Sequence, residues 1–331
     1  MSSNYPSGFA AGVTVRGIPL QQAYPGKVFW VNNSSVIPDK GVAGVDGGGG
    51  NNRPGKGTYL KPFATIDYAI GRCTASRGDI VAVMPGYTQT ITLATEILLD
   101  VAGIAIVGLG AGSKRPTITF GTNDTANIPI TAANVTITNF LFRSTKVDTA
   151  SVFTATGTAT PTDFTVENCE FLDTGAALGF KVCVTGNATD NSMDGLNFLN
   201  NRVFALDATT VTTAVSILKV CEHIRLNDNQ ITQAAINDDA ALAELGDKVV
   251  LDLEVARNRV YRPNTATVGG ILFAGSGACT GLVYDNYAFH KDLTDNNGLL
   301  VTTGQALGFF NNYTHVTYAA DKSGKVVPTA I

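Results

Sequence analysis

Seven segments of this chain fit one eight-position frame, and that repeat constrains the fold more than any other feature. The frame runs apolar, any, apolar, any, polar, slot, any, apolar. It is met by VTITNFLF (135–142), FTVENCEF (164–171), LNFLNNRV (196–203), IRLNDNQI (224–231), LEVARNRV (253–260), GLVYDNYA (281–288) and LGFFNNYT (307–314). The last two fit least well, with Gly281, Ala288 and Thr314 in apolar positions. The slot residues are Phe140, Cys169, Asn201, Asn229, Asn258, Asn286 and Asn312, at spacings of 29, 32, 28, 29, 28 and 26. A fixed period of this size marks a solenoid or an array of supersecondary units.

Each frame begins with period-2 alternation, the pattern of a strand with one buried face. The polar-plus-slot pair that follows reads as a corner, because Asn tolerates left-handed backbone angles and hydrogen-bonds its own turn. If one repeat is one coil, equivalent corners stack about 4.8 Å apart. Stacked Asn side chains can then exchange amide hydrogen bonds, where Asp would place like charges together. Phe140 and Cys169 in the same slot imply that it points inward. A leucine-rich array is excluded by the missing consensus, and a helical array by the rarity of helical runs. The best helix candidate, DDAALAELGD (238–247), reads as an insertion between coils. Upstream, GIAIVGLG (103–110) puts Ile104, Ile106 and Leu109 into the frame, and GDIVAVMPGYTQTI (78–91) supplies a further strand. Together these predict a parallel β-helix of about nine coils, a rod of about 40 Å.

Composition narrows the function classes. Charged residues are 15% of the chain, the net charge is −4, and Lys114-Arg115 is the only adjacent basic pair. A nucleic-acid groove needs clustered Lys and Arg, so no nucleic-acid partner is expected. No stretch approaches the ~20 apolar residues that span a bilayer, and the start lacks a basic, then apolar, leader. A soluble protein with no membrane partner is expected. The five cysteines, Cys73, Cys169, Cys183, Cys221 and Cys279, form no C-x-x-C pair and read as buried thiols.

Near the start, GNNRPGKG (50–57) stands one residue from a phosphate-binding loop. That loop must join a strand directly to a helix and place Ser or Thr after the Lys. Here KVFWVNN (27–33) ends well upstream and Gly57 follows Lys56, so the segment reads as a flexible linker. The sequence KDLTDNNGLL (291–300) fails as a calcium loop, with Leu293 and Gly304 at ligand positions. His223, His290 and His315 lack metal spacing. Cys221 and His223 would share a strand face without a third partner. No catalytic residue, cofactor or metal is expected.

Two segments carry a family resemblance. Gly78, Asp79, Ile80, Pro85, Gly86 and Tyr87 match the G-D-x-I-x-V-x-P-G-x-Y first coil of the pectate-lyase-like right-handed parallel β-helices. GTYLKPFATIDYAIGRC (57–73) resembles the capping helix that precedes that coil in phage-encoded members. Its Phe63, Ile66, Ala69 and Ile70 form one apolar stripe suited to closing the rod. The resemblance implies an all-β fold: a single-stranded right-handed parallel β-helix over 57–318, with an N-terminal cap helix. An extended arm and Gly-rich linker would occupy 1–56, and an extended tail 319–331. The arm's Phe9, Val13, Val15, Ile18, Leu20, Val28, Phe29, Trp30 and Val31 need burial somewhere, so they are expected to anchor on another surface.

The resemblance further implies a structural protein of tailed-phage virions, assembled in the bacterial cytoplasm. It would be a homotrimer on the phage head surface, decorating the shell through contacts with the major capsid protein. The alternatives are a tail spike that recognises a cell-surface glycan, and a polysaccharide lyase or hydrolase. Hydrolases of the superfamily resemble one another in N-x-D, D-D, G-H-G and R-x-K motifs. This chain has one D-D pair, Asp238-Asp239, but no G-H-G and no R-x-K.

Overall fold

The computed structural model describes residues 26–33 and, with short breaks in the loops, 50–316. Strands 13–15, 18–20 and 324–325 are described in their backbone. The chain winds as a right-handed parallel β-solenoid with three long sheets. The first sheet has ten parallel strands, from Val28–Val31 to Ala306–Phe310. The second runs from Thr88–Ile91 to Tyr313–Val316 and ends on the antiparallel strand Gly324–Lys325. The third has seven strands, from Ile128–Ile130 to Leu299–Val301.

Register follows the repeat. The third frame position forms an inward column, Ile137, Val166, Phe198, Leu226, Val255 and Val283, each paired with the next. The eighth position forms a second column, Phe142, Phe171, Val203, Ile231, Val260 and Ala288. A one-residue slip would turn every one of these side chains to solvent, so the pattern fixes the register. Gly281, a poor match to the frame, has φ +136°, and a Cβ there would lie 2.0 Å from the Leu253 carbonyl oxygen. Backbone contact is what requires glycine at that position.

The number of coils is corrected by the third sheet. Its seven strands define six full turns, fewer than the nine coils expected. The first coil meets the third sheet through the parallel Leu99–Ile130 bridge rather than a strand.

The N-terminal end differs from expectation in three ways. Val28, Phe29, Trp30 and Val31, expected in the anchoring arm, are the first strand of the first sheet, paired in parallel with Ile80–Val83. Val31 is fully buried, Phe29 packs on the core, and Trp30 meets Tyr59 edge-on at 5.1 Å. Phe29, Trp30 and Val31 are therefore packed within the chain, while Val28 stays exposed. The expected linker is also ordered where it is described: Trp30 donates to the Gly57 carbonyl, Asn51 to that of Pro62, and Asn52 Oδ1 accepts from the Ala64 N–H. These contacts cover the edge of the first strand, which would otherwise be open to pairing. Of the other arm residues, Val13–Val15 and Ile18–Leu20 pair as an antiparallel hairpin. Phe9 lies outside the described residues.

The cap helix is a single turn, Ile66–Ile70, begun by Thr65, whose side chain accepts from the Tyr68 N–H. Phe63, Ile66, Ala69 and Ile70 are all buried in the main core. Asp79 locks the first coil beneath it. Its fully buried carboxylate accepts from the N–H groups of Lys27 and Thr74, both at 2.7 Å, and from two Arg77 nitrogens.

Two other expectations are corrected. Within 238–247, Ala243–Glu244 is a strand of the third sheet between Val215 and Leu272, not part of a helix. Ala241, Leu242, Ala243 and Leu245 are fully buried there, and that packing overrides local helix propensity. Leu109 leaves the interior column and packs with the outward-facing Ile80, Ala82 and Val107. The corner that follows it is longer than in later coils and includes a short 3-10 turn, Gly112–Lys114.

Candidate functional site

The slot residues Phe140, Cys169, Asn201, Asn229, Asn258, Asn286 and Asn312 all point inward and are at most 2% exposed. The left-handed angle falls on the residue before each slot: Asn139, Asn168, Asn200, Asp228, Arg257, Asp285 and Asn311, with φ between 48° and 64°. That reversal turns the chain from the first sheet into the second and aims the next side chain into the core. Arg257 is the least suited of these residues to such an angle. Its guanidinium reaches back one coil to both Asp228 carboxylate oxygens, at 2.9 and 2.8 Å.

From Asn229 upward the slot amides bond to one another. Asn229 Nδ2 donates to Asn258 Oδ1, Asn258 Nδ2 to Asn286 Oδ1, and Asn286 Nδ2 to Asn312 Oδ1, each at 2.9 Å. Every one of those oxygens also accepts the backbone N–H of the preceding slot residue. The second amide hydrogen goes to a strand carbonyl: Phe198, Leu226 and Val255 respectively. The amides are thus buried without loss of partners, as their location demands. Below Asn229 the ladder thins. Asn201 Oδ1 accepts the Cys169 N–H, and the Phe140 N–H rests on the Cys169 sulfur at 3.5 Å.

A second left-handed column was not foreseen. Gly103, Asn134, Asp163, Gly195, His223 and Asp252 each precede the first frame position and have positive φ. The signal lay in the sequence, since five of these six are Gly, Asn or Asp. The column also separates Cys221 from His223: the left-handed turn breaks the alternation, leaving Cys221 buried and His223 exposed. His223 Nδ1 lies 2.7 Å from Asp252, whose hydrogen bond raises the imidazole pKa.

A polar groove of about 480 Å³ crosses the outer face of the first sheet. Its charged groups are largely matched: Arg257 with Asp228, Arg225 with Glu254 at 3.6 Å, and Glu254 again with the Tyr284 hydroxyl at 2.7 Å. The Asp228 bond raises Arg257, and the Glu254 bond raises Tyr284. Neither shift moves a group toward neutrality, where acid–base catalysis works best. The thiols are equally unreactive: burial pushes Cys169 up to about 12 and Cys221 up to about 11. Among the described residues no group of three His, Cys, Asp or Glu is placed to hold a metal, and no helix is long and apolar enough to cross a membrane. Asp238, Asp239 and most of the 291–300 segment lie outside the described residues.

The outer surface of the last coils carries several exposed aromatic side chains. Tyr261, Tyr287 and Tyr313 stand on the second sheet, each about half exposed, and Tyr261 stacks on Phe289 at 5.0 Å. Leu282 and Phe310 are similarly exposed on the first sheet. Tyr287 and Tyr313 follow the slot directly, in positions the repeat leaves free.

No family model matches this chain, and no curated protein matches it. Among solved structures, pectate lyase Pel9A superposes with a TM-score of 0.50 at 13% identity, covering 88% of this chain and 78% of that one. A rhamnogalacturonan lyase aligns with a TM-score of 0.42 at 14% identity, covering 87% of this chain and 74% of its own. The fold is a right-handed parallel β-solenoid of the pectate-lyase-like kind. A shared fold at such identity does not carry an activity with it.

Proposed function

We propose that this chain is a structural virion protein, a homotrimeric decoration protein of a phage head bound to the major capsid protein through its N-terminal segment. The observation that carries the reading is the closed N-terminal end of the rod. The chain enters the first sheet there at Val28, beside the cap helix Ile66–Ile70. Because Val28–Val31 belongs to the rod, the anchor shortens to the region of the Val13–Val15 and Ile18–Leu20 hairpin. The matched charges of the groove and the high thiol pKa values also favour a structural role over a catalytic one.

The test is quantitative mass spectrometry of purified particles. Hundreds of copies per virion are expected for a decoration. A few to a few tens would move the protein to the tail and favour glycan recognition. Absence from particles would overturn both virion readings and leave the polysaccharide lyase suggested by the fold of Pel9A. Release of unsaturated products from polygalacturonate would then be the assay.

A further inference from the structure

We infer that the corner between the first and second sheets, in the last two coils, is the surface on which copies of this chain meet. The inference rests on the homotrimer reading and names its contact. Two apolar patches flank that corner at the same height. On the first-sheet side stand Leu282 and Phe310, 47% and 53% exposed. On the second-sheet side stand Tyr287 and Tyr313, 49% and 45% exposed, extended one coil down by Tyr261 at 47%. Leu282 and Tyr287 bracket the turn at Asp285-Asn286, and Phe310 and Tyr313 bracket the equivalent turn one coil higher, at Asn311-Asn312.

The first-sheet patch is continuous. A Cβ at Gly308 would lie 3.0 Å from Leu282 and 3.2 Å from the Phe310 ring, so both side chains border the bare backbone between them. The wedge is also stiff, because the Asn258–Asn286–Asn312 amide bonds run directly behind the corner.

The geometry selects a second copy as the occupant. Patches on two sides of one corner, level along the rod, suit a heterologous contact: the first-sheet patch of one copy meets the second-sheet patch of the next. Repeated about an axis parallel to the rod, such a contact closes a ring. A small ligand would occupy one patch and leave the other without purpose. Leu282 and Phe310 offer no side-chain polar atom to a sugar, whereas Tyr and Phe are enriched at the centres of protein contacts. Five side chains, each half exposed, supply about 500 Å² of apolar surface. That is a reasonable apolar centre for an interface of about 1,600 Å² in total. Rods joined in parallel place all their N-terminal segments at one end, as a shell anchor requires.

The experiment uses the full chain, with light scattering for mass and circular dichroism for fold. The wild-type protein is expected to be trimeric. Phe310→Asp and Tyr287→Asp each should weaken assembly by about 30-fold or more, the loss typical of a central contact residue, with the spectrum unchanged. Independently, a Leu282→Cys protein mixed with a Tyr287→Cys protein should form a disulfide-linked pair under mild oxidation, and neither should pair with itself. A wild-type trimer unaffected by both Asp substitutions, or self-pairing of either Cys variant, overturns this surface and leaves the trimer standing. A wild-type monomer at high concentration overturns both.

Discussion

The lower and upper coils solve the same packing problem with opposite materials. In the lower coils the interior is aromatic: Phe142 stacks on Phe171 at 5.2 Å, meets Phe153 edge-on at 5.1 Å, and Phe153 meets Phe164 at 5.3 Å. The slot there holds Phe140 and Cys169. In the upper coils the matching column is Val203, Ile231, Val260 and Ala288, the slot holds Asn, and the rings of Tyr261, Tyr287 and Tyr313 have moved outside. As the interior column loses bulk, the polar ladder takes over its role in joining successive coils. Aromatic surface released from the core becomes available for contact.

The sharpest way to break this comparison is at the ladder. Asn258→Ala removes the partners of the Asn229 N–H, the Asn229 amide and the Leu226 carbonyl. At about 1–3 kcal/mol for each of these three stranded buried groups, the expected loss is about 3–9 kcal/mol, read by urea unfolding. Phe171→Ala in the aromatic half should cost about 3–5 kcal/mol through lost burial and a residual cavity. A ladder substitution clearly milder than the Phe171 one would show that the amides are passive filler.

A smaller effect is expected at the first coil, and only in acid. Burial raises the Asp79 pKa, but the bonds from Arg77 and from the Lys27 and Thr74 N–H groups outweigh it, so the net shift is downward. Its stabilisation is present above about pH 4, the ordinary Asp value, and is lost as pH falls through the depressed one. Thermal melts from pH 5 downward should therefore fall less steeply for Asp79→Asn than for the parent, whose stability at neutral pH should be the higher of the two.

The mildest outcome is expected at the join between the two regimes. The Cys169 sulfur already accepts the Phe140 N–H and faces the Ile137 carbonyl at 4.0 Å, the two partners a ladder amide would meet there. Cys169→Asn should extend the ladder downward and change stability by about 1 kcal/mol or less, the amide's new hydrogen bonds offsetting its burial. A loss of several kcal/mol would mean that the phenylalanine packing around the slot excludes a polar group.

How much of this was legible depended on whether a residue's role repeats. The slot column and the inward faces recur every coil, so seven weak local signals add to one strong one. The cap stripe at Phe63, Ile66, Ala69 and Ile70 was legible for a different reason: helical spacing is local. Val28–Val31 was misassigned because its partner, Ile80–Val83, lies about fifty residues away and no repeat connects them. The run at 241–245 was misread because five residues of good helix formers carry no mark of the neighbours that make them a strand. The exposed tyrosines sit in positions the frame leaves free, where periodicity says nothing and only the folded surface reveals that they gather.

The direction of the ladder bonds has a consequence for the birth of the rod. The Asn201 N–H is met by Asn229, that of Asn229 by Asn258, and that of Asn258 by Asn286, always by the coil that comes later. No coil is complete until its successor has been made. A chain leaving the ribosome, N-terminus first, is therefore always one coil short of rest, its newest edge holding an unanswered donor. Each turn recruits the next, up to Asn312, whose side-chain oxygen answers Asn286.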